Sequence, residues 1–271
     1  MKICAITVIK DEREYLKEWI DYHKEIFDKL FIIEDRGSVS HKDLIDTDKV
    51  ELIPVAELFK DNIDEFNNFI RWRIFTQKVI QREAVRQLIN SGEYDWGIVM
   101  DIDEFVTFDG DLNEILSEFN DYYEVLVYWK NYGANGHITK PDYSKKSFRE
   151  YYTKECCFSN VDFCKNVITK KFIHLKTLPS KYVFRSHHHP NNLRFTKTDF
   201  TKTDKTPCYD KVYLKHYITK SFEEYYYKLF IRGMCYKYHR TLDDFFEMNP
   251  DMIPLKDMMI KQMDEKYKRG H

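Results

Sequence analysis

Glycine and proline are scarce in this chain, 8 and 7 among 271 residues, which excludes collagen-like repeats and glycine- or proline-rich disordered tracts. Cysteine is sparse too. The six stand at 4, 156, 157, 164, 208 and 235 without a CxxC pair, which argues against structural zinc and for reduced thiols in the cytosol. No window approaches the run of about 20 apolar residues that a membrane-spanning helix needs. The apolar start at residues 3–9 gives way to Lys10-Asp11-Glu12-Arg13-Glu14 too soon for a signal peptide. A cytoplasmic protein is expected, with peripheral contact at the inner face of a membrane as an option.

Net charge is nearly absent at -2, but it is unevenly spread: residues 1–120 carry 15 Lys+Arg against 27 Asp+Glu, and residues 121–271 carry 28 against 18. A basic C-terminal portion suits a diphosphate or an anionic membrane surface; equally, the two halves could complement one another within the fold. No nucleic-acid motif accompanies the charge, so nucleic acid is not an expected partner. What is present is a globular composition, 43% hydrophobic and 32% charged, in a chain long enough for a sizeable core. The 20 Tyr and 20 Phe fit core packing and compositional bias, with sugar-stacking surfaces as the alternative.

Residues 3–9 read as a buried strand, and Tyr15, Leu16, Trp19, Ile20, His23 and Ile26 recur at helical spacing. Leu30-Phe31-Ile32-Ile33 is a second strand, completing a β-α-β unit that ends in a turn at Asp35-Arg36-Gly37-Ser38. A third strand is expected near 50–55, and a long amphipathic helix carries Trp72, Phe75, Val79, Ile80, Leu88 and Ile89 before Ser91-Gly92 ends it. Trp96 to Met100 is then a short apolar strand that delivers Asp101, Asp103 and Glu104 at its carboxyl end, where open α/β sheets bind ligands. A short helix over 112–119 and a strand over 125–129 follow, whereas 140–215 is too weakly periodic to parse. Ser221 and Glu224 form a capping box for a helix carrying Tyr225, Lys228, Leu229 and Arg232, and Leu255, Met258, Met259 and Met263 are expected by default to pack on the core, with a partner or a membrane surface as the alternatives.

Two carboxylates one residue apart at a strand end can converge on a hard divalent cation, which prefers oxygen ligands. Asp101 and Asp103 meet that requirement. In a sugar transfer the cation would bridge the phosphates of a nucleotide diphosphate and stabilise the charge that develops as the glycosidic bond breaks.

Lys10-Asp11-Glu12, Tyr15-Leu16, Glu18-Trp19-Ile20 and Tyr22-His23 resemble the KNE, YL, EW and YH opening of glycosyltransferase family 92 and related family 2 proteins. The likeness continues through Asp35-Arg36-Gly37-Ser38, Gln81, and Trp96 leading into Asp101-Ile102-Asp103-Glu104-Phe105. It extends to Trp129-Lys130-Asn131-Tyr132-Gly133, to Lys215 through Ser221, and to Glu224, Lys228, Arg232 and Gly233.

The resemblance implies an α/β fold of GT-A type, Rossmann-like, with a mostly parallel sheet flanked by helices and a C-terminal helical elaboration. It would be one catalytic domain over 1–271, with a nucleotide-sugar part at 1–120, an acceptor and metal-completing part at 121–240, and a helical tail at 241–271. Mn2+ or Mg2+ would be held by Asp101, Asp103 and His216. Glu12, Asp35, Gln81, Asp101, Lys228 and Arg232 would bind the donor, and Trp129 and Tyr132 the acceptor. Asp11 stands where the family usually has Asn.

Several of these roles have structural alternatives: Asp35 as a turn-capping residue, His216 as a structural histidine, and Lys228 with Arg232 as a solvated basic face. Glu150 is the expected catalytic base, with Asp162 as fallback, and either suits a plain surface carboxylate. Lys165 matches a family lysine, while adjacent residues in the run His187-His188-His189 cannot all face inward from one strand.

The implied activity is inverting transfer of a hexose, with galactose from UDP-galactose as the candidate, onto a glycan or lipid-linked saccharide in a pathway such as lipopolysaccharide or surface polysaccharide synthesis. Two other classes compete. A haloacid-dehalogenase-like phosphatase would use Asp101 as nucleophile and Asp103 as general acid, though Phe105 stands where that family usually has Thr or Val. A non-catalytic sugar-binding protein would explain the aromatics but not the ordered carboxylates.

Overall fold

The computed structural model describes residues 1–37, 39–61, 63–71, 76–156, 169–178, 182, 184, 209–232 and 240–268. Ile3–Ile9 (β1), Arg13–His23 (α1) and Lys29–Glu34 (β2) form the β-α-β unit that the apolar pattern implies, with β1 and β2 parallel. Val50–Pro54 (β3) adds beside β2 and Trp96–Val99 (β4) beside β1, both in parallel. These strands are apolar almost throughout because helices cover parallel sheets on both faces.

Val55–Leu58 (α2), Ile63–Arg71 (α3) and Thr76–Ser91 (α4) occupy the connection from β3 to β4. The long amphipathic helix thus begins at Thr76 and a separate helix precedes it; Trp72 and Phe75 lie outside the described residues. Val79, Ile80, Ala84, Val85 and Leu88 of α4 share a core with Cys4, Ile6, Phe31, Ile33 and Val99 of the sheet. Gly92 ends the helix in the left-handed region at φ 63, returning its N–H to Ile89 O at 3.3 Å.

Beyond β4 the sheet becomes mixed. Glu104–Phe108 (β5), Glu124–Asn131 (β6), Thr169–His174 (β7) and Val212–His216 (β8) complete the order β3-β2-β1-β4-β7-β6-β8-β5. The expected parallel pairing holds from β3 to β4. Strand β7 then inserts between β4 and β6 and runs antiparallel to both. A short helix, Leu112–Ser117 (α5), starts at Asp111, whose carboxylate accepts the N–H groups of Asn113 and Glu114.

The chain divides into two compact units, Met1–Trp129 with Val167–Leu214, and Lys130–Asn166 with Lys215–His271. In the second unit Phe148–Tyr151 (α6), Phe222–Phe230 (α7), Leu242–Met248 (α8) and Lys256–Lys266 (α9) supply the helices. The capping box is formed: Ser221 accepts the Glu224 N–H, and the Glu224 carboxylate accepts the Ser221 N–H. That carboxylate also receives the hydroxyls of Tyr143 and Tyr152 at 2.7 and 2.8 Å, tying α7 to the 143–152 stretch. Phe222, Tyr225, Tyr226, Phe245 and Phe246 form the core with Met259 and Met263. Leu255 and Met258, expected in the core, are instead 43% and 48% exposed, because they fall on the outer side as the chain enters α9.

In the first unit α1 buries Leu16, Trp19, Ile20 and His23, the spacing of one helical face. Its last residues hold β5. The Tyr22 hydroxyl donates to Val106 O at 2.6 Å, and His23 Nε2 accepts the Val106 N–H at 3.3 Å. That assignment follows from His23 Nδ1, which lies 2.9 Å from Trp19 O and must donate to it. Because β5 ends the strand order among the described residues, these side chains satisfy main-chain groups of a strand at that edge. His23→Phe keeps the ring but orphans the Val106 N–H, and is expected to cost about 1–3 kcal/mol. Urea denaturation measures this; an unchanged midpoint would remove His23 from the set of groups fixing β5.

Candidate functional site

Met100 continues the parallel pairing by donating its N–H to Ile6 O at 2.9 Å, and the chain then turns through Asp101-Ile102-Asp103 into β5. The turn is closed from both ends. Glu104 N–H donates to Asp101 O at 3.1 Å, and Asp101 N–H donates to Glu104 Oε2 at 2.8 Å. The Asp101 side chain is 30% exposed and Glu104 is fully buried, while Asp103 is nearly so.

A buried lysine completes this cluster. Lys170 Nζ on β7 lies 2.9 Å from Asp101 Oδ2 and 3.1 Å from Glu104 Oε2, with the Trp129 ring centroid 5.8 Å away. Gln77 Nε2, in the first turn of α4, donates to Asp101 Oδ1 at 3.2 Å. Burial pushes the Glu104 carboxyl well above the usual carboxylate range, against the pull of Lys170. Burial works against the charged form of Lys170 as well, but the adjacent Asp101 and Glu104 outweigh it and raise its pKa, so the ammonium stays charged. Glu104 Oε1 has no hydrogen-bond partner.

On the opposite face of β7, Lys171 Nζ pairs with Glu124 Oε1 at 2.7 Å, which also accepts the Tyr182 hydroxyl at 2.7 Å. Here burial lowers the lysine pKa despite the glutamate.

Other residues singled out from the sequence lie at the carboxyl ends of the first unit's strands. Asp35 follows β2, donates its N–H to Ile9 O at 2.8 Å, and pairs through its carboxylate with Arg36 Nε at 2.6 Å. Glu12 is the N-cap residue of α1 and makes no side-chain cap bond. Asp11 has a left-handed backbone, φ 56, and its Oδ1 accepts the Val39 N–H at 3.0 Å. Asp is among the residues that tolerate that conformation. A Cβ on Gly37 would fall 2.8 Å from that same Asp11 oxygen, so a larger residue there would have to displace the carboxylate that holds Val39. Gln81 is fully buried with both amide atoms unpartnered, and the Trp129 carbonyl accepts the Tyr209 hydroxyl at 3.0 Å.

Tyr132, Glu150, His216, Lys228 and Arg232 belong to the second unit. His216 is nearly buried, with Nδ1 3.0 Å from Asn131 Oδ1. Tyr132 donates its N–H to His216 O at 2.8 Å and stacks on Tyr217 at 5.1 Å. Glu150 closes a capping box on α6, its Oε2 accepting the Ser147 N–H at 3.0 Å. Lys228 is on α7, but Arg232 is not: the helix ends at Phe230, and the Arg232 N–H bonds to Tyr227 O at 2.9 Å. The expected one-turn spacing on a single helix is therefore interrupted. Asp162, Lys165, His187, His188, His189 and Gly233 lie outside the described residues.

Asp101 and Asp103 have the oxygen chemistry a hard cation prefers, yet among the described residues no group of three or more His, Cys, Asp or Glu is assembled to hold one. The participants not anticipated from sequence are Gln77 and Lys170. The one available signal was the pair Lys170-Lys171 leading into apolar Phe172-Ile173: in a strand, adjacent lysines must face opposite sides.

No protein-family model matches the chain, so the family 92 resemblance rests on its motifs, and no curated protein matches it either. Among solved structures it is similar to glucosyl-3-phosphoglycerate synthase from Mycobacterium tuberculosis in complex with Mn2+, uridine diphosphate and glucosyl-3-phosphoglycerate. The identity is 9%, covering 51% of this chain and 46% of that one, at a TM-score of 0.30. The chain thus spans less than half the length of that enzyme. It is similar to core-mannan synthase A from Aspergillus fumigatus in its Mn/GDP form at 11% identity, covering 61% and 52%, with a TM-score of 0.27. Protein A197 from STIV is similar at 12% identity, covering 80% and 86%, with a TM-score of 0.32. At TM-scores this low, none of these similarities carries an argument about fold or activity.

Lys170→Met leaves two carboxylates without their ammonium and is expected to cost about 3–5 kcal/mol. Adding Glu104→Gln should recover part of that loss, since the fully buried carboxylate that paired with Lys170 is then gone. A double-mutant cycle by urea denaturation measures the coupling. Strictly additive losses would mean that the Lys170–Glu104 contact contributes nothing.

Proposed function

We propose that this chain is a metal-dependent glycosyltransferase of GT-A type that moves a hexose from a nucleotide diphosphate sugar to a saccharide. The observation that carries the reading is the Asp101–Glu104 turn: carboxylates gathered at the carboxyl end of β4, beside a parallel β-α-β unit whose strand ends carry Asp35 and Glu12. Open α/β sheets bind their ligands at such ends.

In this reading Asp101, Asp103 and His216 would hold Mn2+ or Mg2+. The ion supplies positive charge to the diphosphate leaving group. Asp35 and Glu12 accept hydrogen bonds from ribose hydroxyls, and Lys228 and Arg232 neutralise phosphate oxygens. Gln81 has an unmet donor and acceptor for the nucleotide sugar, though its burial requires α4 to yield before a ligand reaches it. Trp129 and Tyr132 take the acceptor.

Glu150, whose Oε2 caps α6, takes the acceptor hydroxyl proton through its other oxygen as that hydroxyl attacks the anomeric carbon with inversion. UDP-galactose is the candidate donor, and the acceptor a glycan or lipid-linked saccharide of a surface-polysaccharide pathway such as lipopolysaccharide synthesis, reached by a cytoplasmic protein with peripheral membrane contact. No helix among the described residues is long and apolar enough to cross a membrane.

The phosphatase reading gains little, since that family carries its motif near the first strand and here it follows β4. A panel of nucleotide sugars with and without Mn2+, read by thermal shift and by nucleoside diphosphate release, tests the proposal. A true donor at 100 times its Kd should stabilise the fold by about 2.7 kcal/mol. Asp103→Ala should abolish both the shift and the release. Stabilisation by no nucleotide sugar, or an Asp103→Ala protein that binds and transfers like wild type, would sink the reading. Phosphate release from simple phosphomonoesters would favour the phosphatase, and binding without turnover the sugar-binding module.

A further inference from the structure

The carboxylate turn already contains a positive charge. Lys170 Nζ is fully buried at 2.9 Å from Asp101 Oδ2, while Gln77 occupies Asp101 Oδ1 at 3.2 Å, so both oxygens of Asp101 are engaged by this chain's own donors. The Lys170 side chain has no exposure to water. It sits on a paired strand, with Val127 beside it on β6 and the Trp129 ring 5.8 Å away. A divalent ion at Asp101 must therefore share that carboxylate with a fixed ammonium, and like charges in a poorly solvated site repel strongly.

Resting on the metal-dependent reading above, we propose that Lys170 is a resident counter-cation that competes with the divalent ion for Asp101. The turn then takes up the ion weakly on its own and firmly only together with a nucleotide diphosphate, whose negative charge offsets the ammonium. Lys170 is thereby a positioning residue: it holds Asp101 in place before the ion arrives and limits how tightly the ion is kept afterwards.

Titration with manganese(II) chloride, following free Mn2+ by electron paramagnetic resonance with and without UDP, tests this on wild type, Lys170→Arg, Lys170→Met and Lys170→Met/Glu104→Gln. Without UDP, Lys170→Met should bind Mn2+ about 10- to 100-fold more tightly than wild type, the range over which groups contacting metal ligands tune affinity. Lys170→Arg, which keeps the charge, should behave like wild type. The double variant removes the buried carboxylate that would otherwise destabilise Lys170→Met, and it should show the same tightening in a folded protein. If wild type takes up Mn2+ with UDP but neither Lys170→Met protein binds Mn2+ more tightly than wild type, the inference falls and the glycosyltransferase reading stands. Tightening in the variants with no UDP binding by any of them would leave the competition between Lys170 and the ion standing, but would overturn its coupling to a nucleotide diphosphate together with that reading. Absence of Mn2+ binding in every protein overturns both.

Discussion

Two adjacent lysines on β7 impose the constraint from which the rest of the first unit's site follows. Neighbouring residues on a strand face opposite sides, so Lys170 and Lys171 enter separate buried layers and each ammonium must meet a carboxylate there. Lys170 finds Asp101 and Glu104, and Lys171 finds Glu124. The pairing fixes register as well as charge. Strand β7 sets Ile98 opposite Phe172 and Val127 opposite Lys170. Slipping it by one residue would turn both lysines to the opposite faces and carry the apolar Phe172 and Ile173 across with them, so the register is held by packing and charge together. The antiparallel insertion of β7 and the shape of the Asp101–Glu104 turn are thus one arrangement.

What could be read from the sequence was what local periodicity encodes. The run Ile3–Ile9, the face Leu16, Trp19, Ile20 and His23, and the Ser221–Glu224 capping box each carry their signal within a few residues, and each appears in the structure. Asp101 and Asp103 were legible for the same reason, since an apolar strand directly precedes them. Strands β5, β7 and β8 were not, because their partners lie far away in sequence and their own short stretches mix charged or polar with apolar residues without a clean period of two. Lys170 illustrates the limit. Lysine is rarely buried unless paired, and the carboxylates that give it a reason to be inside, Asp101 and Glu104, stand sixty-odd positions earlier in the chain. Glu150 and Arg232 show a milder version, where motif spacing located the residue but said nothing of the helix end or cap that now engages it.

Tyr22 and His23 acquire a reason that motif resemblance alone did not supply. Both act on the main chain of a single residue, Val106, and Phe105 stacks on the His23 ring at 5.3 Å. The opening helix of the chain therefore secures the strand that leaves the carboxylate turn, eighty residues later. Asp11 acts similarly at the other strand ends, bridging the turn after β1 to Val39 after β2.

The opposed charges of the two parts of the sequence take on a different meaning in this light. Lys170, Lys176 and Lys211, all from the basic part, pair in the first unit with Asp101 and Glu104, Asp95, and Glu118 from the acidic part. The exposed pairs contribute little to stability, but the Lys170 cluster is desolvated and its charges must balance locally. Part of the C-terminal positive excess is therefore consumed inside the fold. The asymmetry on its own does not identify a diphosphate or a membrane as partner, and that assignment has to come from cations the fold leaves facing solvent.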